Sequence, residues 1–422
     1  MKASPRALTG RLLLSVGTLI AGFLVVTQVQ AQSQTPAEAL DAAWLQVCAQ
    51  ATPGTDFHAR CQDILNAGPG SGDRRSAAAI GSNLGVFAAQ IKIARSSFAR
   101  RAASKAGQRR ESDDGLGLDG DSDDALWRSE RWGLFASAYS TEVERPESRF
   151  ENAFDSDVWG ATLGADYRFS PNLVGLFSVG LRRNDARFGG DRGRMKEDAQ
   201  GYGFALYGSI GEHFGWQASV GRESLDYDTA RRIRFSLVRN AGTPDENIVN
   251  VDFLATAAMG GRHDEASISG DWSWYRGAWS LRSGLGADYS KVSVDPFSEV
   301  NGGGLEIRFG RRASKSLRGS ASLELSRTAS ASWGVWTPYF RLDWFHEYRD
   351  DGRVLPAFFA GDPTNTRIGF ASGAPDRSFG NLGIGISTVH PGGWQWFLGV
   401  DRSIANSILT ETRVNFGFRK SL

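Results

Sequence analysis

Few residues of this sequence have the types and the spacing that catalysis requires. There are five histidines; His213 and His390 fall in expected turns, and His263 lies at the edge of an expected loop. His346 beside Glu347 is then the one suggestive acid–base pair. Successive residues of a strand point to opposite faces, so these two side chains cannot act together. With no Gly-x-Ser-x-Gly motif, phosphate-binding loop or metal-spaced cluster, the sequence predicts a protein that is not an enzyme and uses no cofactor or metal.

Two cysteines, Cys48 and Cys61, are the other reactive groups. They could form a disulfide, remain free thiols or belong to a metal site, but no histidine or further cysteine completes a zinc pattern. In an exported protein an even number of cysteines normally pairs. We therefore expect a Cys48–Cys61 disulfide, whose small loop would stabilise the fold by roughly 3 kcal/mol.

The first residues have the three parts of a secretory signal peptide. Lys2, Arg6 and Arg11 form a charged start, and the apolar stretch Leu12–Val26 follows. The Val-Gln-Ala sequence at 29–31 fits the small-residue rule for cleavage. The apolar stretch is short for a membrane-spanning helix, so we expect cleavage after residue 31 rather than a membrane anchor.

From about residue 131 to the C-terminus, apolar and polar residues alternate in blocks of about ten. Near 336–348 one face carries Trp336, Pro338, Phe340, Leu342 and Trp344, and the other carries Thr337, Tyr339, Arg341, Asp343 and Glu347. A soluble β-sandwich also alternates, but it rarely exposes aromatic residues on so many strands. The sequence therefore predicts an all-β protein, a transmembrane antiparallel β-barrel of about 12 strands in an outer membrane, with a polar lumen.

The lengths of the connections predict the orientation of this barrel. Strands are expected at 131–141, 157–169, 173–184, 198–210, 214–228, 263–275, 277–291, 316–329, 335–349, 377–389, 394–403 and 410–422. Tight turns between them alternate with long polar loops near 142–156, 185–197, 229–262, 292–315 and 350–376. Barrels of this kind place short turns in the periplasm and long loops outside. Part of 231–251 could instead extend strands beyond the membrane or form its own hairpin.

Composition divides the chain into four parts. Residues 1–31 are the signal peptide, 32–75 a short cysteine-bearing head with a Gly-rich linker, 76–125 a helix with an acidic connector, and 126–422 the barrel. Apolar residues at three- and four-residue steps indicate the helix at 76–107, and its C-terminal half is strongly basic. The formal net charge of +1 argues against a nucleic-acid partner.

Three stretches resemble the autotransporter β-domain family, the translocator barrels of type V secretion. They are Arg131–Phe135 after the linker, the Trp-Thr-Pro-Tyr sequence at 336–339 with Trp-Phe-His-Glu at 344–347, and the closing strand Thr412–Phe418. The resemblance covers about residues 76–422. It implies an outer-membrane barrel with a helix inside its lumen, and the helix at 76–107 occupies that place. It also implies an N-terminal passenger, for which only the short region 32–75 is present.

A helix in the lumen makes the charged residues of the inner wall the candidate site. By alternation the inner wall carries Asp166, Arg182, Glu223, Arg282, Asp288, Arg318, Glu324, Arg341, Asp343, Glu347, Asp401 and Arg413. The basic side of the helix is expected to pair with wall carboxylates; otherwise these charges simply solvate the lumen. The candidate contacts are Arg95, Arg100 and Arg101 on the helix, with Arg318, Glu324, Arg341, Asp343 and Glu347 on the wall.

We therefore expect an integral outer-membrane barrel that translocates or displays a short N-terminal segment at the cell surface. The alternatives are a porin-like channel gated by the helix and a surface adhesin that acts through its long loops. A hydrolase built from the loops lacks a suitable set of residues. The expected partners are outer-membrane lipid, the barrel-insertion machinery and an unknown surface ligand, and the barrel is expected to be a monomer.

Overall fold

The computed structural model describes residues 46–65, 131–148, 152–240, 242–349, 354–371 and 376–421. Its strands are numbered in chain order, and α1 is the helix Asp56–Leu65. The expected signal peptide, the helix expected at 76–107 and the acidic connector lie outside these residues. Within the described ranges, no helix is both long and apolar enough to cross a membrane.

Twelve antiparallel strands form a closed barrel, and the prediction of an all-β barrel of about 12 strands is confirmed. Each barrel strand pairs with the next one. The last strand, β17 (Thr410–Ser421), pairs with the first, β1 (Trp132–Arg145), from Gly133 opposite Ser421 to Glu144 opposite Thr410. The barrel strands are β1 (Trp132–Arg145), β2 (Phe154–Ser170), β3 (Leu173–Phe188), β4 (Gly193–Ile210), β5 (Phe214–Arg239), β6 (Asn247–Arg276), β7 (Trp279–Val294), β10 (Arg312–Arg327), β12 (Gly334–Glu347), β15 (Ser378–His390), β16 (Trp394–Ile404) and β17 (Thr410–Ser421).

Alternation along each strand separates the outer surface of the barrel from its lumen. On β17 the side chains of Val414, Phe416 and Phe418 are exposed on the outer surface, whereas Arg419 is buried on the inner side. Side chains of a strand point to opposite faces in turn, and hydrocarbon accepts only the apolar set. The outward residues therefore form a lipid-facing belt, and the inward ones form a polar wall.

The outer ends of two strands differ from the prediction. β5 was expected to end near 228 but runs to Arg239, and β6 begins at Asn247 rather than near 263. The prediction of a long loop at 229–262 is therefore wrong, and the alternative of strands that extend beyond the membrane is correct. The loop expected at 185–197 is also mostly strand, because β3 ends at Phe188 and β4 begins at Gly193.

Two of the other long loops, 292–315 and 350–376, contain short strands. β8 (Phe297–Ser298), β9 (Ile307–Phe309), β13 (Val354–Phe359) and β14 (Ile368–Ala371) form a second sheet in the order β14-β13-β9-β8. At the opposite end of the barrel, β11 (Ala329–Ala331) pairs with the start of β12. The second sheet therefore belongs to the end that carries the long connections, which is the outer end.

Closure of the barrel can be tested at Phe416, which lies opposite Ala138 of β1 and Leu398 of β16. Proline there removes a backbone donor from the ladder, so we expect Phe416→Pro to prevent closure. The wild-type protein should migrate at different apparent masses on unheated and boiled SDS gels, and the proline variant should lose the folded band. Phe416→Leu keeps an apolar outward side chain and should retain that band. A folded band in the proline variant would contradict closure through this strand pair.

Candidate functional site

Beyond the lipid-facing belt, the two faces of hairpin β5–β6 exchange their polarity. Within the membrane the outward side chains of β5 are apolar (Trp216, Ala218, Val220) and the inward ones are polar (Gln217, Ser219, Glu223). Farther out the outward side chains become charged (Arg232, Arg234), and the inward ones become apolar (Ile233, Phe235, Leu237). The three inward apolar side chains are buried. Because the outer part of the hairpin stands in water, its charges face outward and its apolar residues must be covered from the inside.

The covering is a separate hydrophobic core at the outer end of the barrel. It joins residues of the long strands, of the second sheet and of the cysteine-bearing head in one cluster. We call this assembly the cap; it comprises residues 46–65, the outer hairpin 230–257 and the segments 297–309 and 354–368. Its buried members include Val47, Phe57, Cys61, Ile233, Leu237, Val251, Leu305, Ile307, Phe309, Leu355, Phe359 and Ile368.

The head is closed on itself by a disulfide and is held in the cap by aromatic packing. Cys48 and Cys61 are bonded, with their Cα atoms 5.3 Å apart, so the predicted disulfide is confirmed. The ring centroid of Phe57 lies 5.3 Å from that of Phe359. Gly304, at φ +92°, lies so close to α1 that an added Cβ would stand 2.5 Å from the carbonyl carbon of Asp56. The described residues 46–65 of the head therefore complete a core that they share with the barrel.

A buried ion pair connects the outer hairpin to the second sheet. The Nε of Arg231 donates to Oε1 of Glu299 at 2.8 Å, and its Nη2 donates to the carbonyl of Leu305 at 2.9 Å. Glu299 also accepts the backbone N–H of Ile307 at 2.9 Å. Both charged side chains are fully buried. An ion pair in this setting depends on the hydrogen bonds that it makes, because each charge has lost its water.

Unlike the buried pair, the charged residues on the outer surface of the cap are exposed to water. Asp252 is exposed at the surface and accepts hydrogen bonds from Arg232 and Arg234. The hydrogen bond from Arg232 is the main cause that lowers the pKa of Asp252 to about 2. Arg312, at the outer end of β10, packs against the cap: burial lowers its pKa to about 10, and its guanidinium lies over the rings of Phe297 and Phe309.

A buried polar network lies where the lumen meets the cap. Arg182 contacts Glu197 at 2.9 Å and Glu223 at 3.2 Å, and Nδ1 of His263 lies 2.9 Å from Glu223. The expectation that His263 lies at a loop edge is wrong, since this side chain is fully buried on β6. Glu197 was assigned to a loop and is instead buried on β4. Continued alternation through 195–199 was the signal that could have revealed the position of Glu197.

The predicted wall charges are inside the barrel, and several pair with one another. Arg341 lies 2.8 Å from Asp401 and 3.0 Å from Asp343, and Arg282 lies 3.8 Å from Glu324. Arg419, which the sequence analysis did not single out, donates to Asp166 at 3.0 Å. The helix residues Arg95, Arg100 and Arg101 lie outside the described residues, so their contacts with this wall stay a prediction.

Glu347 and Arg318 lie beside a cavity of about 220 Å³ in the outer half of the lumen, and Arg413 and Leu409 also line it. Glu347 accepts the backbone N–H of Leu317 at 3.0 Å. The guanidinium of Arg318 lies 4.9 Å from the ring centroid of Phe345. This part of the wall therefore combines charged and apolar groups.

The one suggestive acid–base pair does not form. Nδ1 of His346 lies 2.8 Å from the hydroxyl of Ser378, whereas Glu347 is buried on the other face of β12. In the described part of the chain, no group of three or more His, Cys, Asp or Glu side chains is placed to hold a metal ion.

A closed barrel with a lipid-facing belt, a polar lumen and a covered outer end defines an integral outer-membrane protein. The chain belongs to the autotransporter β-domain family, whose model matches residues 134–401. The fold is similar to the translocator domain of the autotransporter NalP from Neisseria meningitidis, with a TM-score of 0.52 and 14% identity over 76% of this chain and 95% of that one.

The fold is also similar to the transport unit of the autotransporter AIDA-I from Escherichia coli, with a TM-score of 0.50 and 12% identity over 81% of this chain and 99% of that one. At such identities the likeness concerns the fold alone. No curated protein sequence gives a significant match.

The buried ion pair gives a direct test of the cap. Glu299→Gln leaves the Arg231 cation buried without its counter-charge, so we expect the cap to lose about 3–5 kcal/mol of stability. Asp252→Asn changes a fully exposed carboxylate on the same hairpin and should have little effect. Trypsin cleavage within the cap should accelerate only in the first variant, while both keep the folded band on unheated gels. Equal cleavage rates in the two variants would contradict a structural role for the buried pair.

Proposed function

We propose that this outer-membrane barrel displays its own N-terminal segment at the cell surface as a fixed cap, and that it catalyses no reaction. The observation that carries the proposal is the burial of Val47, Cys48, Phe57 and Cys61 in a core shared with the outer ends of the strands. A passenger destined for release would need a fold that survives separation from the barrel. Here the segment depends on the barrel for its core and is therefore suited to retention.

The positions of the residues that flank segment 66–130 support a path of this segment through the lumen. Residue 65 belongs to the cap at the outer end, whereas β1 begins with Trp132 at the inner end. Hydrocarbon does not accept a chain with unpaired backbone groups, but the inner wall is polar. We propose that this segment crosses the membrane inside the barrel, with Arg95, Arg100 and Arg101 of the expected helix near the wall carboxylates.

The closed wall also supports a monomer as the working unit. Pairing of β1 with β17 leaves no strand edge in the membrane-spanning wall that would need a second copy. Lipid on the outer surface and the barrel-insertion machinery during assembly are then the partners that display requires.

Display is tested by accessibility of the head on intact cells. An epitope tag after Pro53 would lie in an exposed turn of the head, and the same tag after Gly277 would lie in an exposed turn at the inner end. We expect antibody to label the first tag on intact cells and the second only after the outer membrane is permeabilised. A head tag that is labelled only after permeabilisation would refute surface display.

The luminal path is tested by ion conductance in planar bilayers. Deleting residues 76–107 should leave a folded barrel on unheated gels and raise its single-channel conductance, because the expected helix no longer obstructs the lumen. Deleting 46–107 removes the head as well and should raise the conductance further. Deleting only 46–65 controls for loss of the cap. If the first deletion conducts like wild type, the helix does not occupy the pore and a porin-like channel becomes the better interpretation.

A further inference from the structure

Four charged side chains lie side by side on the outer surface of neighbouring strands. Arg222 of β5 is opposite Asp264 of β6, Asp264 is opposite Lys291 of β7, and Lys291 is opposite Lys315 of β10. We call this set, together with the nearby Arg262, the basic row. Directly opposed residues of antiparallel strands are about 5 Å apart, so neighbouring members of the row can contact one small anion.

The basic row stands immediately beyond the lipid-facing belt. One step towards the membrane, the same four strands present the register row Val220, Ala266, Tyr289 and Leu317. Val220 and Leu317 are exposed on the outer surface, and tyrosine is a residue typical of the membrane–water interface. The basic row therefore lies at the level of the lipid headgroups rather than in bulk water.

Cations dominate the basic row. Arg222 donates to Asp264 at 2.6 Å, and Arg262 lies 3.2 Å from the same carboxylate. The one acid of the row is thus shared between two arginines, while two lysines face each other on β7 and β10. The row therefore contains four cations and one carboxylate, and its net charge is positive.

A second register row shows that the outward charges are not basic everywhere. On strands β1 to β5 this row reads Glu142, Asp157, Asp185, Lys196 and Asp228, and on β5 it lies farther from the membrane than Arg222. The barrel is therefore not surrounded by a uniform basic collar.

We propose that the basic row binds the phosphorylated headgroup of a lipid in the outer leaflet. Acyl chains lying on the apolar wall of Val220 and Leu317 bring the headgroup phosphate to Lys291 and Lys315, with Arg222 and Arg262 beside them. Clusters of basic residues at a membrane surface recognise anionic headgroups in this way. A free phosphate would gain nothing from the apolar wall below, which favours a lipid as the source of the anion.

The test uses the full-length protein in detergent, with bound lipid counted by native mass spectrometry. The probes are diphosphorylated lipid A, the same lipid without its phosphates, and inorganic phosphate. We expect wild type to retain the phosphorylated lipid and Lys291→Gln/Lys315→Gln to bind it about tenfold more weakly or worse. The matched control Lys196→Gln removes an outward lysine from the second register row and should bind like wild type.

The double variant Lys291→Arg/Lys315→Arg keeps both charges and should retain binding. The folded band on unheated gels verifies that each variant forms a barrel. The proposal is overturned if the glutamine double variant binds like wild type, or if the lipid without phosphates binds equally well. It is also overturned if inorganic phosphate displaces the lipid at equal concentration, since the site would then recognise a free anion.

Discussion

The backbone pairing of β1 with β17 is the constraint on which the rest of the barrel depends. Inside a membrane every backbone donor and acceptor must be satisfied by the protein, because hydrocarbon offers none. Closure of the sheet meets that requirement and leaves no open edge in the lipid. It also sets which parity of every strand faces outward, and a shift of one residue would place Arg413 and Arg419 in lipid. The belt, the polar lumen and the position of the cap all follow from this one register.

The membrane-spanning part could be predicted from the sequence because two solvents act on its two faces. Val414 and Phe416 must meet lipid while Arg413 and Glu347 must not, so the alternation is strict. The outer parts of β5 and β6 were expected mainly as a loop, and this expectation was wrong for a physical reason. Above the membrane, water replaces lipid on the outside and the inward residues become apolar. Ile233 and Phe235 therefore belong to the parity that is polar lower down, and the pattern no longer matches that of a membrane strand.

The cap could not have been derived from local patterns. Arg231 and Glu299 are separated by 68 positions, and nothing near either residue indicates the other. Phe57 and Phe359 are still farther apart, and their contact depends on how three separate segments meet at the outer end. The disulfide was predictable only because two cysteines leave one pairing. His263 was misplaced because β6 was expected to begin there rather than at Asn247, so its burial inside the barrel opposite Glu223 was not recognised.

The cap core has a consequence for the order of assembly. Its members extend from Val47 to Ile368, so it contains some of the most non-local contacts in the chain. Loop-closure entropy opposes such contacts until the intervening strands have been placed. The wall is therefore expected to form first, and the core at the outer end is completed only when the head and the distant segments meet. During that interval the outer end of the nascent barrel lacks the core that covers it in the finished fold.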